Sequence, residues 1–298
     1  MASSRSGELT WAAFAVSVVF GGLNTIGVRF TVLELPPFWG AAIRFIPAAA
    51  LLFLLAFIQK LPLPKGRGLV GAALFGILNF GISFIFLYWG LRQIQAGLAT
   101  VILALGPLLT LLLAVAHRQE TMRWPALIGS LLSVGGVTLV FLQSSNSQAP
   151  LLALLAVFLG ALCLSESSII IKKYPQSHPV TTNAVGMAVG GVIHLVVSLI
   201  AQERQILPVR STTWVAILYL IILGSCALFI LVIYILKRWP ASRTAYILVL
   251  MPFVALPVSA VLDQEQIGWA YLAGVALVLV GVYFGAIAPQ RKAVLASR

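Results

Sequence analysis

Apolar residues run along this chain in blocks of about twenty, and polar residues gather in the short gaps between them. A helix needs roughly 20 apolar residues to cross about 30 Å of hydrocarbon. On that measure the pattern predicts ten spans, at 9–32, 36–58, 68–91, 94–116, 124–142, 150–172, 179–201, 212–236, 241–262 and 268–288. Proline, which cannot continue a helical hydrogen-bond ladder, punctuates several gaps: Pro36-Pro37, Pro62 and Pro64, Pro175 and Pro179, and Pro208. The most polar gap, QSSNSQ at 143–148, falls near the middle of the chain. The pattern therefore predicts an all-α membrane protein of ten transmembrane helices.

The second half of the pattern restates the first. Shifted by 145 positions without a gap, residues 96–142 lie on 241–287, and 14 of the 47 pairs are identical. Apolar identities carry little weight in such a sequence. Pro107/Pro252, Gln119/Gln264, Glu120/Glu265, Trp124/Trp269, Gly129/Gly274 and Gly136/Gly281 carry more. The repeat divides the chain into a first five-helix unit (1–142), a linker (143–149) and a second five-helix unit with a C-terminal tail (150–298). Five is odd, so the second unit must enter the membrane from the opposite side, and the repeats are inverted. Inverted repeats with a site between them near the midplane characterise secondary transporters.

Composition and charge sharpen this picture. Of the 298 residues 61% are hydrophobic and 9% charged, against about 25% charged in soluble domains. The net charge of +12 resides in short connections, so it reports topology rather than nucleic-acid binding. With the N-terminus placed in the cytoplasm, 14 Lys and Arg face that side and four (Arg29, Arg92, Arg204, Arg210) face the exterior. Both termini are therefore expected in the cytoplasm. The seven Trp lie at or near span ends, where amphipathic rings prefer the interface. Cys163 and Cys226 sit in apolar runs and suggest neither a disulfide nor a zinc site. The apolar run from Leu9 follows Arg5 as in a signal peptide, but it lacks an Ala-x-Ala site and continues past Gly22, so it is expected to be a retained span.

The doubled order of helix, Pro, helix, Glu, Trp and Gly-Val (Gly136-Val137, Gly281-Val282), together with PPFWGAAIRF at 36–45, resembles the drug/metabolite transporter superfamily, and the ten-helix EamA-type metabolite exporters in particular. The resemblance implies a monomeric or weakly associating carrier of the bacterial inner membrane. Such a carrier exports amino acids or other small metabolites by alternating access, with no cofactor. In that superfamily the aromatic amino-acid exporters line their cavity with rings at positions that correspond here to Leu78, Ala104, Gly106 and Leu164. The departure argues against an aromatic-lined pocket.

Polar side chains inside spans are costly unless they meet a partner or a cavity. Glu166, in LGALCLSE (159–166), resembles the membrane glutamate of the small multidrug resistance proteins, which implies alternate binding of a proton and a cation. Its other reading is an ion pair with Lys172 or Lys173. Arg44 can hold a substrate carboxylate bidentately or neutralise a neighbour such as Glu34. Asn24, Asn79, Thr100 and Tyr246 are hydrogen-bonding groups in apolar spans, and Ser165 and Ser168 flank Glu166. Singly, each can make an interhelical bond of about 0.6 kcal/mol; together they can line a midplane cavity. Pro107 and Pro252 occupy symmetric positions as helix breaks or hinges. His194 reads as a packed histidine.

The expected partners are a small-molecule substrate, lipid and, for an antiporter, protons; neither nucleic acid nor a metal is expected. No nucleotide-binding loop, His-Glu-x-x-His or supported nucleophile–base pair occurs, so an intramembrane enzyme is disfavoured. A channel lacks its filter or charged pore stripe. The expectation is a secondary-active or facilitative exporter of an amino acid or derivative, with a cation or drug efflux carrier as the alternative.

Overall fold

The computed structural model describes residues 2–94, 99, 102–144, 150–175, 177–263 and 269–284, and among them every regular element is a helix. In chain order these are α1 (Ala2–Val32), α2 (Pro37–Ile58), α3 (Arg67–Leu91), α4 (Gly106–Ala116) and α5 (Trp124–Ser144), then α6 (Leu151–Lys173), α7 (Pro179–Ile200), α8 (Ser211–Leu236), α9 (Tyr246–Asp263), which follows the one-turn helix Ala241–Thr244, and α10 (Trp269–Val282). Among the described residues α1 (from Gly7), α2, α3, α6, α7 and α8 are long and apolar enough to cross a membrane, while Gly106–Ala116, Trp124–Gly136 and Ala241–Ala255 are shorter apolar helices. Large apolar side chains such as Phe57, Leu152, Ile200 and Trp269 face outward, as lipid as solvent permits.

Local chemistry sets the helix ends. Pro37 and Pro179 occupy the first turns of α2 and α7, where a missing N–H costs nothing. At their far ends α2, α4 and α7 finish alike, with the left-handed residues Lys60 (φ 53°), Arg118 (φ 57°) and Gln202 (φ 52°). The next N–H in each case reaches back to a carbonyl of the last turn: Leu61 to Ala56 at 2.8 Å, Gln119 to Ala114 at 2.8 Å and Glu203 to Ser198 at 3.0 Å. These reversals present Gln119, Glu120 and Glu203 to the other half of the chain.

The contacts come in matching pairs. α2 packs on α7 and α5 on α10; α3 with α6 is matched by α8 with α1, and α4 with α6 by α9 with α1. The α5–α10 seam uses the repeated glycines. A Cβ on Gly136 would lie 2.6 Å from the Gly274 carbonyl oxygen, and one on Gly281 would lie 2.5 Å from that of Gly129. Such small residues let backbones touch where no hydrophobic drive brings helices together.

The matching extends to a helical irregularity. α3 widens into a π-turn at Gly76–Ile82 and α8 into another at Ile222–Ala227, 145 positions apart to within one residue. A π-turn disturbs the i→i−4 ladder and loosens its carbonyls. In a membrane these must find partners inside the protein, and here they do. The Gly224 carbonyl accepts from Arg44 Nη2 (2.9 Å) and Asn24 Nδ2 (3.0 Å), and the Phe80 carbonyl from His194 Nε2 (3.0 Å).

Candidate functional site

Between the two π-turns lies a cavity of about 150 Å³, walled by α1, α3, α4, α6, α8 and the start of α9. A void of that size holds a molecule of about the size of benzene. Its surface is largely apolar, and among the described residues none that lines it is charged. Asn24 and Thr25 contribute from α1, Asn79 and Tyr88 from α3, Thr110 from α4, and Ser165 and Ser168 from α6.

The same meeting of helices fixes both asparagines. From α1, Asn24 donates to the π-turn of α8; from α6, Ser167 donates to Asn79 Oδ1 in the π-turn of α3 at 3.0 Å. Each amide is thereby oriented with one end spare. Asn24 Oδ1, Asn79 Nδ2 and the Tyr88 hydroxyl are buried without a hydrogen-bond partner. Leaving such groups unpaired costs about 1–3 kcal/mol each, so they mark places where a polar solute can bind.

The structure brings together four of the residues singled out from sequence: Asn24, Asn79, Ser165 and Ser168 all line the cavity. Of the others, Arg44, Glu166 and Tyr246 stand elsewhere. Arg44 is wholly buried beside the wall, donating to Ser225 Oγ (2.8 Å) and to the Gly224 carbonyl. Two of its donors are thus committed, and the carboxylate of Glu34 is not its partner. Glu34 instead accepts from the Val209 (2.5 Å) and Arg210 (3.1 Å) N–H groups. Glu166 is outside the lining; its Oε1 meets His117 Nε2 at 2.9 Å. Lys173, one of its expected partners, meets the other ring nitrogen of His117, while Lys172 donates to the Trp239 carbonyl at 2.6 Å. Tyr246 is buried against Ser130 (3.1 Å) and Ala126 rather than facing the cavity. Thr100 lies outside the described residues. Pro107 stands in the first turn of α4, just after a non-helical turn at Ala104 and Leu105, whereas Pro252 lies within the continuous α9. The expectation of a ring-free pocket is corrected: Phe84, Tyr88 and Phe229 line the wall from positions other than those compared.

Both ends of the bundle are clasped across the halves. At the end holding the α1–α2 and α7–α8 connections, Glu203 accepts from the N–H groups of Phe38 (3.3 Å) and Trp39 (2.8 Å), capping α2. Glu34 reciprocates just ahead of α8. The Thr213 hydroxyl first, and the Val209 N–H next, hold the Glu34 carboxyl below its ordinary pKa. At the opposite end Glu120 accepts from the Ser242 N–H (3.2 Å) and hydroxyl (2.5 Å), and Gln119 donates to the Ile169 carbonyl at 2.9 Å. The repeat had singled out Gln119 and Glu120; their counterparts Gln264 and Glu265 lie outside the described residues. His117, Glu203 and Tyr88 had no local signal, since their partners are remote in sequence.

A family model described as EamA-like transporter family matches the chain twice, over residues 9–142 and 151–286. An uncharacterized transporter of Archaeoglobus fulgidus is 24% identical over 92% of this chain and 97% of its own length. The uncharacterized inner membrane transporter YedA of Escherichia coli K12 is 26% identical over 96% of this chain and 94% of its own. A probable amino-acid metabolite efflux pump of Salmonella typhimurium is 26% identical over 89% and 91%. A crystal structure of a protein 18% identical superposes with a TM-score of 0.78, covering 93% of this chain and 97% of that one; at that identity the likeness is one of fold.

Proposed function

The chain belongs to the EamA-like transporter family and is a membrane transporter rather than an enzyme, and from that premise we propose that it exports a small metabolite, an amino acid or derivative, by alternating access across an inner membrane. The observation that carries the reading is the cavity: it lies between helices of both halves, has room for a small solute, and holds buried hydrogen-bonding groups with no partner. The proposed frame is ten transmembrane helices in two inverted repeats, 1–142 and 150–298 about the linker 143–149, with both termini cytoplasmic. The clasps at the two ends would open in turn while the α2–α7 and α5–α10 seams hold. The efflux pump of Salmonella typhimurium and the inner membrane transporter of Escherichia coli support the direction and the membrane by similarity alone. An uncharged cavity wall favours amino acids over the alternative, organic cations, for which an acidic wall group would be needed.

Counterflow in proteoliposomes tests the reading. Vesicles loaded with unlabelled amino acid should concentrate the labelled one transiently, and a steady conductive leak with no counterflow would contradict a carrier. A second reading, proton antiport, is favoured by the Glu166–His117 contact between α6 and the end of α4. With a trapped pH dye, that reading expects Glu166→Gln to lose a substrate-driven proton flux; unchanged pH dependence in the variant would remove it.

A further inference from the structure

Arg44 stands out because its charge is unanswered. Its side chain is wholly buried in the apolar bundle. Among the described residues no carboxylate forms an ion pair with it. Its Nε and Nη2 are spent on Ser225 and the Gly224 carbonyl, and Nη1 has no partner. The rings of Phe45 and Phe84 lie 4.7 Å and 5.2 Å from its Cζ. Ring faces soften the desolvation of a cation, but they do not neutralise it.

The cavity is next to this charge. Phe84, against the guanidinium, lines the wall, and so does Asn24, which shares the Gly224 carbonyl with Arg44. An isolated cation in a low-dielectric setting acts over a longer reach than it would in water. The cavity therefore sits in a positive potential that no wall residue cancels, and at its edge a donor, Asn79 Nδ2, is spare.

Resting on the carrier reading above, we propose that Arg44 determines specificity by making the substrate's own carboxylate the missing counter-ion, so that the cavity accepts solutes bearing a carboxylate and rejects cations that lack one. Side-on capture through Nε and Nη2 is taken up, because these two nitrogens brace the α8 π-turn. Arg44 acts through its field and through Nη1, which has no partner. The anion is then held while the π-turn stays braced, and binding and the helix that must move are linked through one side chain.

Three solutes on one apolar skeleton test this as competitors of counterflow: leucine, its alcohol leucinol, and isocaproate. Leucine and leucinol share the ammonium and differ in the carboxylate; isocaproate has the carboxylate alone. In wild type, leucine and isocaproate should each compete at least about tenfold better than leucinol. In Arg44→Gln that gap should shrink to within about threefold, and Arg44→Lys should retain part of it. Leucinol competing as well as leucine in wild type would overturn the proposal and leave the carrier reading standing. Absence of counterflow with every solute in wild type would overturn both. Should Arg44→Gln fail to fold, the wild-type arm and Arg44→Lys decide, and equal competition by all three solutes in Arg44→Lys counts against the proposal.

Discussion

The α5–α10 seam and the central cavity are both places where the two halves meet, yet they are built on opposite plans. At the seam the halves answer like with like: Gly136 lies on Gly274, and Gly281 on Gly129, each pair being the repeat image of the other. At the cavity the same meeting of helices recurs with different chemistry. The π-turn of α3 offers the side chain of Asn79, whereas the π-turn of α8, with Gly224 at the corresponding position, offers a backbone carbonyl. Arg44 braces only the second of these, at Gly224 and Ser225. Symmetry in this chain specifies the scaffold. Departures from symmetry set the chemistry of the cavity wall.

Substitutions at the seam should do the most damage. Gly136→Leu forces a side chain against a backbone carbonyl, which cannot turn aside as a flexible side chain would. It should cost about 3 kcal/mol or more, and Gly281→Leu should cost about as much; thermal melting in detergent, read by retention of the monodisperse peak, checks both. Melting of both variants at the wild-type temperature would end the claim that the seam is rigid.

Asn79→Leu should act the other way round. It deletes the spare amide donor and the acceptor of Ser167, so counterflow should fall about tenfold, equivalent to about 1.4 kcal/mol, with folding changed by about 1 kcal/mol. A variant that melts early and transports normally would place Asn79 in the scaffold.

At the clasps the effects are smaller. Glu120→Gln weakens the cap on the one-turn helix Ala241–Thr244 and should cost about 0.5–1 kcal/mol by the same melting assay. Glu34 adds a pH signature. Its folded pKa is depressed, so its contribution is present above its unfolded pKa and is lost as pH falls through the folded value. Thermal stability should therefore decline at pH values below the ordinary carboxylate range, and decline slightly less in Glu34→Gln.

The sequence was most informative where one physical rule acts locally or repeats. Runs of apolar residues and Pro at helix starts marked the helices, and the glycines of the seam announced themselves because they occur twice. Asn24, Asn79, Ser165 and Ser168 could be read as cavity residues because a polar group in an apolar span needs a reason. Glu166 was harder. Its cost in a span is as visible as theirs, but its partner His117 lies 49 positions away and only tertiary packing brings α4 and α6 together. Arg44 was visible as a buried charge while its partners were not, because a π-turn leaves no clear mark in composition. The rings at Phe84, Tyr88 and Phe229 were missed for a related reason: in a chain this apolar an aromatic residue carries no sign of which face it takes.

In the proposed carrier the cavity between the halves is the transport chamber. Ser168 lines it, is half-buried, and among the described residues is bonded to the Leu164 carbonyl of its own helix alone, at 3.3 Å, so Ser168→Phe fills the chamber with little disturbance elsewhere. Amino-acid counterflow in proteoliposomes should fall to the background of empty vesicles, while the variant melts within a few degrees of wild type. A folded Ser168→Phe that exchanges solute at the wild-type rate would show that transport runs through some other part of the molecule.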